Sequence, residues 1–271
     1  MVNIADKEYK LLTDYILSNY GIKLGEGKRT LVEGRLQGIL HQLNFDSFSK
    51  YYDYILSDDT GQAASNLMSR ITTNHTYFMR EPDHFYYFRD TVLPQLKDSV
   101  TDKDIRVWSA GCSTGEEAYT LAMIMLDYFG MEKHLWDTNI LATDISSRVI
   151  DIAKKGEYDN KDIEPLPSKW KSNYFSQIND EISVISEKVK KEVIFRFFNL
   201  NNAAFPFKRE FHVIFCRNVM IYFNEETKRD LINKFYNSLY PGGYLFIGHS
   251  ECLNRGNFKF KYVMPSIYRK D

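Results

Sequence analysis

The chain has 271 residues, which is long enough for two small domains or for one large α/β domain with an appendage. Hydrophobic residues make up 44% and charged residues 26%, a composition that is typical of a globular protein and excludes a disordered or fibrous one. The net charge of −1 provides no basic surface for releasing counterions from phosphates, so nucleic acid is not an expected partner.

The amino terminus lacks a basic-then-apolar signal pattern, and no apolar run approaches the roughly 18 to 20 residues of a membrane span. We therefore expect a cytoplasmic protein with no direct membrane insertion. Cys112, Cys216 and Cys252 are odd in number and far apart, so neither a disulfide framework nor a zinc site is expected. The six histidines show no metal-ligand spacing such as HExxH, so we expect no metal.

Two patterns of apolar residues divide the chain. Up to about residue 75 they recur at helical spacing, as in Tyr9, Leu12 and Ile16, which predicts a small helical domain. From Ile105 onward, short β-branched and aromatic runs alternate with helical stretches, which is typical of a mostly parallel sheet. The stretch 158–192 fits neither pattern and is interpreted as an insertion.

The elements of the second part can be placed from these runs. We predict strands over 105–110, 139–143, 193–198, 212–216 and 244–248, the last after a turn at 241–243. We predict helices over 116–128, from 146 onward and over 225–239. The tail is predicted to form a closing hairpin around Met264 and Pro265.

A glycine turn, Gly111 to Gly115, follows the first predicted strand, at the edge where open α/β sheets bind ligands. A plain strand-to-helix connection would explain the two glycines equally well. Glu116 and Glu117 then occupy the first helical turn, where they would repel a pyrophosphate but suit a positively charged ligand such as S-adenosylmethionine. The third glycine of GxGxxG is missing, which also disfavours a nicotinamide cofactor.

Asp144 ends the second predicted strand, in the position where an acidic side chain binds ribose hydroxyls in dinucleotide folds. It lies 29 residues after Gly115, and a long helix with its connection accounts for the excess over the about 20 of a compact unit. The alternative is that Asp144 caps the helix that begins near Ser146. We favour the cofactor role.

Five segments carry a more specific signal: TTNHTYFMRE (72–81), WSAGCSTGEEAYT (108–120), ATDIS (142–146), FNL (198–200) and FCRNVMIYF (215–223). Together, and in this order, they resemble the chemotaxis receptor methyltransferase family, CheR, over nearly the whole chain. The resemblance implies a Rossmann-like class I S-adenosylmethionine-dependent methyltransferase domain with a mostly parallel sheet and an antiparallel C-terminal hairpin. It also implies these boundaries: an all-α domain over 1–75, a linker contributing to the cofactor site over 76–92, the methyltransferase domain over 93–271, and an inserted β-subdomain over 158–192.

The same resemblance implies which residues form the site. The cofactor-binding residues would be Asn74, Thr76, Arg80, Gly111, Glu117, Asp144, Asn199, Leu200, Arg217 and Asn218. Arg80 and Tyr222 would assist methyl transfer. Arg80 offers a charged bidentate fork for a carboxylate, and its alternative is a surface ion pair with Glu81 or Asp83. The alternative for Tyr222 is an aromatic ring packed beside Phe223.

The function implied is transfer of a methyl group from S-adenosylmethionine to glutamate side chains of chemoreceptors, whose cytoplasmic domains would be the partners. A solvated glutamate has a pKa of about 4.3, so it is already a nucleophile at neutral pH and needs neither a general base nor a metal. Two alternatives stay open: a methyltransferase of a small molecule or RNA, and a cofactor-binding sensor or scaffold without turnover.

Two features bear on how a receptor would be recognised. Some family members bind a pentapeptide at the receptor C-terminus through a glycine-bearing loop of the β-subdomain, but residues 161–191 contain no glycine. We therefore expect binding that does not depend on the pentapeptide. Basic residues near one predicted N-terminal helix could face acidic receptor helices. Interleaved acidic residues favour a solvated mixed surface instead; the residues concerned are Lys23, Lys28, Arg29 and Arg35, with Glu26 and Glu33 between them.

Overall fold

The computed structural model describes residues 2–253 and 258–271. Its first part is helical, and the apolar positions of the predicted helical pattern, such as Leu12, Ile16 and Leu36, are fully buried. α1 ends at Gly21, whose φ of +71° is a left-handed conformation that glycine adopts without steric cost. The helices of this part are α1 Asp6–Tyr20, α2 Arg29–Gln42, α3 Phe48–Ser57 and α4 Gln62–Ile71.

The second part alternates strands and helices, as the sequence predicts. It begins with α5 Pro82–Tyr87, which continues through a π-helical turn, Phe88–Val92, into α6 Leu93–Ser99. The further helices are α7 Glu116–Phe129, α8 Ser147–Lys155, α9 Asn160–Ile163, α10 Ser168–Tyr174, α11 Glu187–Lys190 and α12 Glu225–Ser238. The strands are β1 Val107–Ala110, β2 Ile140–Asp144, β3 Glu157–Asp159, β4 Phe175–Gln177, β5 Ile182–Ile185, β6 Val193–Phe197, β7 Phe211–Cys216, β8 Leu239–Ile247, β9 Lys261–Met264 and β10 Ile267–Arg269.

The main sheet has seven strands within the described ranges, in the order β6-β2-β1-β7-β8-β10-β9. Its first five strands pair in parallel, and β10 and β9 form the predicted antiparallel hairpin at one edge. Buried apolar side chains cover both faces of the parallel part, because helices pack on each. Trp108 of β1 lies on the face shared with α12 and the N-terminal helices. The predicted fold class is confirmed.

A small antiparallel sheet, in the order β3-β5-β4, lies between α8 and β6 in the chain. Tyr158 of β3 attaches this sheet to the glycine turn, because its hydroxyl donates to the carbonyl oxygen of Thr114 at 2.8 Å. Its ring also contacts Phe78 of the linker, with centroids 4.9 Å apart. The predicted insertion therefore contains a sheet, while the exact domain boundaries stay a prediction.

One local prediction is wrong. Residues 241–243 were expected to form a turn before the last parallel strand, but they lie inside β8, which begins directly after α12. The pairing register jumps at this point, since Phe211 pairs with Leu239 and Val213 with Tyr244. Gly242, with φ +78°, allows the chain to bulge out without leaving the strand. Glycine and proline therefore mark an irregularity of the strand here.

No helix in the part of the chain that the structure describes is both long and apolar enough to cross a lipid bilayer.

Candidate active site

A cavity opens at the carboxyl ends of β1, β2 and β7, bounded by the glycine turn, the linker after α4 and the end of α1. All of the predicted site residues line it: Asn74, Thr76, Arg80, Gly111, Glu117, Asp144, Asn199, Leu200, Arg217, Asn218 and Tyr222. They come from segments that are up to 148 residues apart, between 74 and 222. The structure therefore brings these residues together, whereas their individual roles stay proposals.

The glycine turn forms the floor of this cavity. The backbone N–H groups of Gly111 and Cys112 both donate to the carbonyl oxygen of Thr143, at 2.8 and 2.9 Å, which fixes the turn against the end of β2. Gly111 has φ +91°, and a Cβ at this position would lie 2.3 Å from Cγ2 of Val219. A glycine is therefore required here by both conformation and space.

Asp144 presents a buried carboxylate at the end of β2. One oxygen accepts from the backbone N–H of Ser113 and the other from that of Ser146, both at 2.9 Å. The helix cap is Ser146 itself, whose hydroxyl oxygen accepts from the N–H of Val149, so the alternative role for Asp144 is wrong. Burial raises the pKa of Asp144 more than its backbone hydrogen bonds lower it.

Arg217 lies at the centre of the charged side of the cavity and is 7% exposed. Its Nη1 contacts Oε2 of Glu117 at 3.1 Å, and its Nη2 contacts Oε2 of Glu81 at 3.1 Å. The other oxygen of Glu117 accepts from the Ser109 hydroxyl at 2.7 Å. Burial raises the pKa of Glu117, and Arg217 offsets this only in part. A positively charged ligand in the cavity would stabilise the ionised form of Glu117.

Arg80 is placed by the linker and not by an ion pair. Its Nη1 donates to the carbonyl oxygen of His75 at 2.7 Å, and its guanidinium lies 5.9 Å from the centroid of the Tyr77 ring. Neither Glu81 nor Asp83 pairs with it, so the predicted alternative is wrong; Glu81 pairs with Arg217 instead. The guanidinium therefore stays available to a carboxylate in the cavity.

Tyr222 lies on a short 3-10 helix, Met220–Tyr222, and lines the cavity. Its carbonyl oxygen accepts from the N–H of Lys23 at 2.9 Å, and Ile22 forms a β-bridge with Phe223. The N-terminal domain is thus joined to the loop that carries Tyr222.

Sequence reasoning missed the residues that the N-terminal domain contributes. Tyr20 and Ile22 line the cavity next to Tyr222. Asn199 also reaches this domain, since its Nδ2 donates to the carbonyl oxygen of Asn19 at 2.9 Å. No local pattern at Tyr20 or Ile22 indicates a ligand, because they belong to the end of an ordinary amphipathic helix and the segment after it.

His84, behind Arg217, is 1% exposed, and neither ring nitrogen has a hydrogen-bond partner among the described residues. Burial, with a further contribution from Arg217, lowers the pKa of His84 to about 3. An unfolded histidine binds a proton below about pH 6.5, so the stability contributed by neutral His84 is complete above that pH and is lost as the pH falls toward 3.

We therefore expect His84→Phe to reduce the acid sensitivity of the fold. Between pH 7.5 and pH 5.0 the loss of unfolding free energy should be smaller in the variant by about 2 kcal/mol. Urea unfolding at the two pH values measures this difference. His41→Gln, at an exposed histidine, serves as the control and should change it little. If His84→Phe and the unmodified protein lost the same unfolding free energy between the two pH values, His84 would not be a buried, neutral group.

Family models and curated relatives that match this chain describe chemotaxis methyltransferases. The family model described as CheR methyltransferase, all-alpha domain, matches residues 7–72, and that described as CheR methyltransferase, SAM binding domain, matches residues 74–268. A chemotaxis protein methyltransferase of Borreliella burgdorferi is 40% identical, over 100% of this chain and 96% of the relative. A probable chemotaxis protein methyltransferase of Rhizobium etli is 37% identical, over 94% and 99%. Chemotaxis protein methyltransferase 2 of Vibrio cholerae is 32% identical, over 93% and 88%.

Proposed function

The chain belongs to the CheR methyltransferase family and is an S-adenosylmethionine-dependent methyltransferase, and we propose that it methylates glutamate side chains on the cytoplasmic domains of chemoreceptors. The observation that carries this proposal is the single cavity that all of the predicted site residues line. The carboxylates of Glu117 and Asp144 suit a ligand with positive charge, and the guanidinium of Arg80 suits an acidic acceptor.

The residues of the cavity fit the chemical groups of this cofactor. Asp144 would accept from ribose hydroxyls, and Glu117 would face a positively charged group. The remaining cofactor contacts would come from the linker and from the loops after β6 and β7, that is, from Asn74, Thr76, Asn199, Leu200, Arg217 and Asn218. S-adenosylmethionine supplies a methyl group on a positively charged sulfur atom.

The chain's own contribution to the reaction would be alignment and exclusion of water. Arg80 would hold the acceptor carboxylate or that of the cofactor through its free guanidinium edge, and the Tyr222 hydroxyl would orient the acceptor. A glutamate is ionised at neutral pH, so no residue has to remove a proton from it. Alignment of this kind is worth on the order of 7–11 kcal/mol of the barrier.

We also propose that receptor binding does not depend on a C-terminal pentapeptide. The loop between β4 and β5 carries Asp180 and Glu181, whose negative charges are unfavourable for a peptide carboxylate. Asn179 fixes this loop, because its side-chain oxygen accepts from the N–H groups of Glu181 and Ile182 at 2.9 and 2.8 Å. Micromolar binding of the free pentapeptide in calorimetry would show this part of the proposal to be wrong.

The experiment that tests the function is incubation of the protein with methyl-labelled S-adenosylmethionine and purified receptor signalling domains. We expect base-labile label on receptor glutamates, released as methanol and mapped by mass spectrometry. Label that appears only on RNA or on small molecules would assign a different substrate. Cofactor binding without transfer to any of these acceptors would indicate a sensor.

Tyr222→Phe is expected to lower the rate constant for methyl transfer about tenfold while the dissociation constant for S-adenosylmethionine stays within about twofold. The substitution removes the hydroxyl and keeps the ring that lines the cavity. Tyr128→Phe, at a half-buried tyrosine beside Lys97, is the matched control. Single-turnover kinetics with receptor domains provide the measurement, and an unchanged rate in Tyr222→Phe would remove Tyr222 from the reaction.

A further inference from the structure

A buried arginine beside a cavity for a cation requires an electrostatic explanation. Arg217 lines the cavity, and its guanidinium lies 5.1 Å from the centroid of the Phe85 ring, away from solvent. S-adenosylmethionine carries a positive sulfonium and a positive ammonium, so an unbalanced positive charge here would oppose its binding. The charge of Arg217 must therefore be neutralised by groups of the protein itself.

Two carboxylates share this guanidinium. Glu117 contacts Nη1 at 3.1 Å. Glu81 contacts both Nη2 and Nε through one oxygen, at 3.1 and 3.3 Å. Glu117 lines the cavity, and Glu81 is not among the described residues that do. Glu81 is therefore placed to act on Arg217 and not on a ligand directly.

The surroundings of Glu81 hold it in this position. Its second oxygen accepts from Nδ2 of Asn218 and from the backbone N–H of His249, both at 3.3 Å. Burial raises the pKa of the Glu81 carboxyl, but Arg217 and the His249 amide outweigh burial and hold the pKa below its usual value. Its backbone has φ +55°, a left-handed conformation that is uncommon for residues other than glycine and is kept only where neighbours enforce it.

The charges of these groups can be added. Arg217 contributes +1, and Glu81 and Glu117 contribute −1 each, so the three sum to −1. His84 adds nothing, since its lowered pKa keeps it neutral. If Glu81 lost its charge, the sum would be 0, and Glu117 would become the sole carboxylate partner of Arg217 among the described residues.

We propose that Glu81 is a positioning residue that neutralises Arg217 and holds it in place, which leaves the negative charge of Glu117 available to the positively charged cofactor. This inference rests on the proposed function. It explains why the linker has an acidic residue directly after Arg80, although that residue does not line the cavity.

Glu81, His84 and His249 also place ligand atoms within 4.8 Å of one another, an arrangement that a metal ion could use. The charge balance argues against that use. The carboxylate of Glu81 is already paired with Arg217, and a divalent cation on the same oxygens would add two positive charges next to the guanidinium. The counter-ion role therefore explains the cluster better than a metal does.

The test compares two isosteric pairs of variants: the unmodified protein with Glu81→Gln, and Glu81→Asp with Glu81→Asn. Each pair differs in charge and hardly in size, and both Asp and Asn tolerate a left-handed backbone. Calorimetry measures the affinity for S-adenosylmethionine, for sinefungin, which carries an amine in place of the sulfonium, and for S-adenosylhomocysteine, which lacks that positive charge.

We expect each amide to bind S-adenosylmethionine and sinefungin about tenfold more weakly than its matching acid, with a smaller change for S-adenosylhomocysteine. A purely structural role predicts equal losses for all three ligands, and Glu81→Asp as weak as Glu81→Asn; either result would overturn the proposal. Asp83→Asn, at an exposed carboxylate two residues away, is the control. If the unmodified protein binds none of the three ligands, the proposed function fails instead.

Discussion

Asp144→Asn is expected to raise the dissociation constant for S-adenosylmethionine about 100-fold. Both oxygens of Asp144 accept backbone N–H groups, from Ser113 and Ser146, and the carboxylate has further lone pairs for ribose hydroxyls. An amide has one oxygen, so one of these N–H groups would face an NH₂ group. The variant therefore loses a charged acceptor and also disturbs the glycine turn. Calorimetry with the cofactor measures the loss.

Asp151→Asn is the matched control, since Asp151 lies exposed on α8, seven residues further along the chain. Its cofactor affinity should equal that of the unmodified protein. A thermal unfolding curve distinguishes a local change at Asp144 from loss of the fold. If Asp144→Asn keeps the full affinity, the ribose assignment has to be abandoned.

Gly111→Ala should affect both stability and cofactor binding. The new Cβ would overlap with Val219, and alanine in this left-handed conformation costs about 1–2 kcal/mol. Overpacking adds about 1–3 kcal/mol, so we expect a loss of unfolding free energy of about 3 kcal/mol. Because Val219 itself lines the cavity, its displacement should also weaken cofactor binding at least tenfold.

Gly34→Ala provides the comparison for Gly111→Ala. Gly34 lies within α2, and a Cβ there would have no atom within 4 Å. Alanine should stabilise this helix by up to about 1 kcal/mol, because glycine is a poor helix former. Urea unfolding should therefore show a lower free energy of unfolding for Gly111→Ala and a higher one for Gly34→Ala. A stable Gly111→Ala protein with normal affinity would mean that the turn adapts more easily than its geometry indicates.

The fold and the site could be predicted best where a single residue type satisfies a local structural requirement, such as a tight turn or a buried helix face. The glycine turn and Asp144 follow directly after predicted strands. Because the carboxyl ends of parallel strands lie at the same edge of a sheet, the sequence predicts that the two lie close together. The periodicity of Leu12 and Ile16 likewise indicated a buried helical face, which the structure confirms. These signals are local, and they depend on only a few neighbouring residues.

The features that the sequence did not reveal depend on distant contacts. Ile22 and Phe223 are 201 residues apart in the chain, and nothing near either residue indicates that they pair. The sequence predicts for Glu81 only a surface ion pair with Arg80, because the neighbours of Arg217 in sequence do not indicate that Arg217 is buried beside Glu81. The residues at 241–243 predict a turn as readily as a bulge, because both favour glycine and proline.

The bridge between Ile22 and Phe223 has a practical consequence for protein engineering. A fragment that starts at the linker would keep the whole sheet and yet lack Tyr20, Ile22 and the backbone donor of Lys23. One wall of the cavity would be open to water, and the segment carrying Tyr222 would lose its hydrogen bond to Lys23. Chimaeras that exchange the helical part should therefore be joined so that residues 19–24 stay with the methyltransferase part whose cavity they line.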